Sequence, residues 1–321
     1  MLIPVLLFLV GFALLIKGGD WFVDGATGIA HRFHLPELLI GATVVSIGTT
    51  LPEVMVSSQA AMQGNAGISY GNAIGSIICN TSLIAAITLA AKPGKVKRNA
   101  LVLPALFFFG AAIFYSFIAY TQGGFSRWQG FLFLVAFIIY MVLTVWQMKK
   151  NPDEAGGEGA EIKEMSMGQE ILLLVIGAVA IAIGARLLVD NGTKIAQALG
   201  VPDSVIGLTM VALGTSLPEL ITAITSLLKG HGALSLGNVI GANLFNIVLV
   251  SGMAISISPF RIPTEKTLMG INSSLLVDIP VMLFVMGILC IPALLKEKLY
   301  RWQGILLLCI YATFTVYQFM M

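Results

Sequence analysis

LPELLIGATVVSIGTTLPEVMVSSQAAMQG at residues 35–64 and VPDSVIGLTMVALGTSLPELITAITSLLKG at residues 201–230 align without a gap, at the 166-residue separation of Glu53 from Glu219. Matches are densest at GTTLPE and GTSLPE, so the chain carries an internal duplication. The same separation sets YGNAIGSIICN (70–80) over LGNVIGANLFN (236–246), and Asp24 over Asp190. Outward from these stretches, 57% of the 321 residues are hydrophobic and only 11% charged. That leaves too little polarity to cover a soluble domain, and the bilayer is the expected solvent. Apolar runs able to cross a ~30 Å hydrocarbon core, at roughly 20 residues each, recur along the whole length. Ten are read, at about 4–24, 38–61, 68–91, 100–121, 127–147, 170–192, 204–228, 234–258, 274–295 and 302–320. The expected fold class is all-α and integral to the membrane, with ten transmembrane helices in two inverted-topology five-helix repeats. Residues 1–148 form the first repeat, 149–167 a cytoplasmic linker and 168–321 the second. An odd number of spans per half obliges the second half to enter the bilayer the other way up, as in transporters that place one site near the midplane.

Several classes fall away on composition. Residues 2–15 have neither a basic stretch before them nor a small-residue cleavage site after them, so they are read as a retained span. Cys79, Cys290 and Cys309 are scattered through apolar runs without CxxC spacing, which argues against a disulfide framework or a zinc site. A net charge of +2, with no basic run interleaved with aromatics, argues against nucleic acid. Basic residues set the expected orientation. With the N-terminus outside, inner loops carry Arg32, Lys92, Lys95, Lys97, Arg98, Lys149, Lys150, Lys163, Lys229, Lys296, Lys298 and Arg301. Outer loops carry only Arg127, Lys194, Arg261 and Lys266. The expectation is a multi-pass protein of the cell inner (plasma) membrane, acting as a monomer, with both termini outside. NPDEAGGEGAEIKEM at 151–165 reads as a solvated tether without EF-hand spacing.

Glu53 and Glu219 each stand in the middle of a long apolar span, where an ionised carboxylate costs at least ~2.5–3.5 kcal/mol. Either a lysine or arginine in the bundle pairs with each, or a bound cation or proton does. The centres of the second, third, seventh and eighth spans hold no basic residue, which favours a bound cation or a proton. Pro52 and Pro218 lack an N–H and should disturb the helix behind them, freeing carbonyls near 46–49 and 212–215. Thr49, Thr50, Thr215 and Ser216 place hydroxyls about one turn from the carboxylates. Ser76, Asn80 and Asn246 on neighbouring spans add further oxygens. Serine and threonine also glue helices and back-bond to carbonyls, so it is the mirrored set that carries weight. All these donors are hard oxygens, suited to sodium, calcium or magnesium. Calcium tolerates an irregular shell of carbonyls and carboxylates, and several sodium ions could occupy the same oxygens in turn. Gly41, Gly48, Gly71 and Gly75, with Gly207, Gly214, Gly237 and Gly241, are read as helix-packing positions. Gly18 and Gly19, beside Asp20 and Asp24, could let the first span bend or slide, and Asp278 is expected to face water or a helix end.

The GTTLPE and GTSLPE segments, each followed by a GN-x-x-G helix ending in Asn, resemble the alpha repeats of the cation/calcium exchanger superfamily, and within it the prokaryotic sodium/calcium exchangers. The resemblance covers essentially the whole chain. It implies antiport of Ca2+ and Na+ as substrates, with no cofactor, rather than an enzyme. It implies calcium held by Glu53 and Glu219 with backbone oxygens at Thr49 and Thr215. Sodium would use an overlapping set of Ser46, Thr50, Ser76, Asn80, Ser216 and the carbonyl of Ala212. Asn246 stands where potassium-dependent branches place Asp, which argues against potassium dependence. Ala242 replaces the usual Ser, removing one hydroxyl, and Ile77 replaces an Asn that Asn243 keeps in the second half. Gly75 and Gly241 occupy the place where the proton/calcium branch carries an acid. A proton/calcium or other divalent exchanger, a passive channel and an intramembrane hydrolase using the glutamates as acid and base are the alternatives.

Overall fold

The computed structural model describes residues 2–150, 165–199, 214–264, 267–268 and 270–320. Nine helices among the described residues are long and apolar enough to cross a membrane. They are α1 (Leu2–Arg32), α2 (Glu37–Met62), α3 (Ala66–Ala91), α4 (Arg98–Gln122), α5 (Arg127–Lys150), α6 (Met167–Ala198), α8 (Gly232–Ile257), α9 (Ser274–Lys296) and α10 (Arg301–Met320). A shorter apolar helix, α7 (Leu217–Leu228), lies between α6 and α8. The seventh span expected at 204–228 is described only from residue 214, and most of the linker expected at 149–167 lies outside the described residues. A two-stranded hairpin, Thr267–Leu268 against Ile271–Asn272, is the one named sheet among them.

Local chemistry sets the helix ends. Asn65 caps α3 by accepting from Ile68 N at 3.1 Å. Ser166 and Gln169 form a reciprocal capping box that starts α6. Gly123, at φ +65°, supplies the left-handed residue that closes α4.

The chain divides into two compact units, Met1–Thr49 with Asn151–Asn238 and Thr50–Lys150 with Val239–Met321. Each unit draws on both sequence halves. In the first unit, α1 packs against α6 through reciprocal glycines. A Cβ on Gly11 would lie 2.8 Å from Gly184 O, and one on Gly184 would lie 2.8 Å from Gly11 O. Gly18 and Gly177 repeat the arrangement one step along. Gly41 of α2 and Gly237 of α8 press backbone on backbone in the same way, with virtual Cβ distances of 2.5 Å to Leu234 O and 2.1 Å to Leu38 O. Small residues allow this approach where lipid gives helices no hydrophobic drive to associate. Gly19 meets Ile221 and Thr225 closely and α1 is unbroken, so these glycines serve packing rather than a bend. At Gly71 and Gly75 a Cβ would meet nothing within 4 Å, so the packing role expected there is not seen among the described residues. Charged contacts in this unit join Arg32 to Glu170 at 2.7 Å and Lys229 to Asp24 at 2.7 Å, and His231 lies 2.7 Å from Glu37.

The second unit carries its own copy of the duplication. RWQG occurs at 127–130 and again at 301–304. A Cβ on Gly130 would strike Ser256 of α8 at 2.5 Å, and one on Gly304 would strike Ala86 O and Ala90 N of α3 at 2.6 Å. Ser256 and Ala90 are themselves 166 residues apart. Gln129 and Gln303, both fully buried, each accept from the backbone N–H three residues earlier at 2.7 Å. Two isolated bridges follow the same relation, Lys95 with Lys298 and Gly124 with Arg261. Each joins loops that the charge pattern assigns to one side of the bilayer. The longer α8–α9 loop, which holds the hairpin, breaks the fixed 166-residue spacing, so RWQG is out of register with the first alignment.

Gly130→Ala and Gly304→Ala should each lower thermal stability in detergent by about 1–3 kcal/mol through overpacking. Gly110→Ala, where a Cβ meets nothing within 4 Å, should be neutral or raise stability by roughly 0.5–1 kcal/mol. Melting temperatures of the four proteins, parent included, check the order.

Candidate functional site

The candidate residues occupy both units. In the second unit, α2 beyond residue 50 contributes Thr50 and Glu53, α3 contributes Ser76 and Asn80, and α8 contributes Asn246. All five are buried, and Glu53, Asn80 and Asn246 are 0% exposed. Asn80 and Asn246, equivalent in the duplication, each open a π-helical turn: Asn80–Ala85 in α3 and Asn246–Val250 in α8. A π turn widens the helix by one residue and recurs at functional sites because it redirects side chains and carbonyls. The Ala66–Cys79 part of α3 packs against the π turn of α8. Both amide atoms of Asn80, and both of Asn246, are buried without a hydrogen-bond partner. Leaving such groups unsatisfied costs about 1–3 kcal/mol each, so a ligand that engages them is favoured by that amount.

A second cluster backs these residues. Asn243 donates to Thr81 Oγ1 at 2.7 Å and lies 3.1 Å from Met286 Sδ, while Thr81 donates to Ile77 O at 2.8 Å. Asn72 donates its amide to Glu53 O at 3.1 Å and to Ser57 Oγ at 2.8 Å. The glutamate turn is thus tied to α3.

In the first unit, Ser46 and Thr49 of α2, Thr215 and Ser216 before α7, and Glu219 in its first turn form the corresponding group. Glu219 is 0% exposed, Ser216 is buried, and Thr215 is half-buried. Ser216 Oγ has no hydrogen-bond partner. Ser46 lies 2.7 Å from Gly41 O, across the π turn Gly41–Val45, and 3.0 Å from Asn238 O. Thr49 donates to Asn238 Oδ1 at 3.1 Å. A hydroxyl whose single proton is committed in this way keeps its lone pairs for a cation.

The prolines act differently in the two copies. Pro52 sits inside the continuous helix Ser46–Met62, so the unwinding expected at 46–49 is not there. Its missing N–H would have met Gly48 O, so the helix runs on with that carbonyl deprived of its usual intrahelical donor. The irregularity lies earlier, in the π turn at Gly41–Val45. Pro218 instead begins α7, and Thr215 and Ser216 are turn residues, so the backbone does open there. Ala212 lies outside the described residues. Asp278 ends the π turn at the start of α9 and accepts from Gln318 at 2.9 Å, a helix-end position as expected. Sequence reasoning overlooked Asn72 and Asn238, although the GN dipeptide marks both copies.

The family described as sodium/calcium exchanger protein matches residues 3–146 and 170–320. Over 308 residues the chain is 38% identical to an uncharacterized membrane protein of Methanocaldococcus jannaschii, covering 95% of this chain and 94% of that one. It is 33% identical to the sodium/calcium exchanger MaX1 of Methanosarcina acetivorans, covering 98% of both. The solved structure of the sodium-calcium exchanger NCX_Mj soaked with Na+ and Sr2+ matches with a TM-score of 0.82 at 35% identity, covering 97% of each chain. The same exchanger soaked with Na+ and Ca2+ also gives 0.82, covering 98% of this chain and 97% of that one.

Asn80→Leu and Asn246→Leu should leave the ion-free protein as stable as the parent or more so, since each removes an unsatisfied buried amide. Each should also shrink the rise in melting temperature that a bound cation gives the parent, which thermal unfolding with and without the ion measures.

Proposed function

The chain belongs to the sodium/calcium exchanger family, and on that premise we propose that it is a multi-pass membrane antiporter that exchanges Ca2+ for Na+ by alternating access. The observation that supports this most is the duplicated set of buried hard oxygens: two fully buried carboxylates, Glu53 and Glu219, with the unsatisfied side chains of Asn80, Asn246 and Ser216. Glu53 and Glu219 bring two negative charges, which one divalent ion neutralises. Backbone oxygens at Thr49 and Thr215 complete the calcium shell. Sodium takes the overlapping oxygens of Ser46, Thr50, Ser76, Asn80, Ser216 and the Ala212 carbonyl, so the two ions exclude one another. Asn246 offers an amide in place of a third carboxylate, and Ala242 offers no hydroxyl, so this set suits two charges of cargo per carboxylate pair rather than three. The chemistry is transport, with no covalent bond made or broken, and it needs no resident cofactor.

Basic residues favour a cytoplasmic side that holds the Lys92–Lys97 and Glu297–Tyr300 loops and the central linker, with both termini outside the cell membrane. Sodium entering down its gradient then drives calcium out. A net inward charge per cycle would gain ~2.3 kcal/mol per 100 mV. One chain suffices, since both copies of the repeat lie in it.

Reconstituted in vesicles loaded with sodium, the protein should take up radioactive calcium as long as the outward sodium gradient lasts. Uptake that ignores sodium and follows a pH gradient would instead assign it to proton exchange. Glu53→Gln and Glu219→Gln should each reduce uptake more than about 100-fold while the protein remains extractable and folded, the scale set by ~3 kcal/mol for losing one buried charge partner. Near-normal uptake in either variant would remove that residue from the site.

A further inference from the structure

Glu53 and Glu219 are equivalent in sequence, but their surroundings are not. On α2, Thr49, Glu53 and Ser57 follow one another at four-residue spacing, and so do Asn72, Ser76 and Asn80 on α3. Within the second unit these stripes are stapled below the carboxylate. Asn72 Nδ2 donates to Glu53 O at 3.1 Å and to Ser57 Oγ at 2.8 Å. Ser69 Oγ donates to Ser57 O at 2.8 Å. A carbonyl oxygen only accepts, so it is the amide nitrogen of Asn72 that faces Glu53. The donors are therefore fixed by chemistry.

Among the described residues the other copy shows no equivalent of these bonds. Ala223 stands at the place of Ser57, and Ser235, at the place of Ser69, has a buried hydroxyl without a partner. Asn238, the counterpart of Asn72, accepts from Thr49 through its Oδ1, and its Nδ2 is buried without a partner.

We infer that Asn72 is a positioning residue for ion binding: with Ser57 and Ser69 it holds the turn that carries Glu53 against α3. Asn72 does not touch the ion. It sets where the Glu53 side chain starts, one turn from Ser76 on the same face of α3. Calcium, which must gather several oxygens at once, loses affinity when that start point drifts. The inference rests on the reading that Glu53 binds the transported cation.

The test is equilibrium binding of radioactive calcium to the purified full-length protein. Asn72→Leu, with the same branched outline but no donor, should weaken calcium binding roughly five- to tenfold, the equivalent of one buried hydrogen bond. Asn72→His, whose Nδ1–H can sit where the amide N–H does, should recover most of the loss. The decisive comparison uses shortened carboxylates. In a Glu53→Asp background, where the carboxylate is already displaced, Asn72→Leu should cost less than about twofold, because coupled residues are not additive. In a Glu219→Asp background it should keep its full effect. Ser57→Ala, a milder change, should follow the same background dependence with a smaller step and serves if Asn72→Leu fails to fold. An equal loss in both backgrounds, or no loss in either, would overturn the positioning role. Glu53→Gln separates the premise: if it binds calcium as tightly as the parent, the assignment of Glu53 itself is wrong. If it abolishes binding while the Asn72 step is absent or independent of background, only the positioning inference falls.

Discussion

A carboxylate buried in the middle of an apolar membrane span is among the costlier arrangements a membrane protein can build, and this chain buries two of them, Glu53 and Glu219. The surrounding structure can be understood as a response to that cost. Hydroxyls near the acids have their protons committed to backbone or amide oxygens, as Ser46 and Thr49 do. Amides at Asn80 and Asn246 are buried with nothing to bond. Among the described residues, Glu170, Asp24, Asp20, Asp190 and Glu37 form ion pairs with arginine, lysine or histidine. On the proposed function, such a site is discharged by whichever hard cation enters it, and that mutual exclusion would be the physical basis of exchange.

The duplication is kept in the packing and varied in the polar contacts. Gly11 with Gly184, Gly18 with Gly177, and Gly130 with Gly304 repeat the same backbone approach in each copy. Helix contact in lipid depends on closeness, and a methyl group at any of these positions would meet backbone. The polar side chains drift more freely. Ser57 has become Ala223, Ser76 has become Ala242, and one proline lies inside a helix while its copy starts one. In the second unit Asn72 ties the Glu53 carbonyl to Ser57, whereas in the first the equivalent Asn238 accepts from Thr49.

Much of this was legible in the sequence, for physical reasons. Twenty-residue apolar runs leave little choice but membrane helices, and nine of the ten spans read from hydropathy coincide with long helices among the described residues. The acids stood out because nothing basic shares their spans. The π turns were not legible, because a helix that takes in one extra residue leaves no compositional mark at Asn80 or Asn246. Pro52 misled for a related reason. Proline removes a donor, but the helix need not open there, and Ser46–Met62 runs on through Pro52. Asn72 was passed over because its amide serves a backbone carbonyl, a contact that only coordinates reveal. RWQG escaped because a longer loop shifts its second copy out of the first alignment.

The central claim is that calcium and sodium compete for one dehydrated set of oxygens anchored on the two glutamates. It is tested by a calcium binding isotherm on the purified protein, repeated across a wide range of sodium concentrations at constant ionic strength. The account predicts a calcium dissociation constant that climbs without limit as sodium rises, at unchanged capacity. A plateau at high sodium, which would mean that both ions bind together, or indifference to sodium altogether, would contradict it.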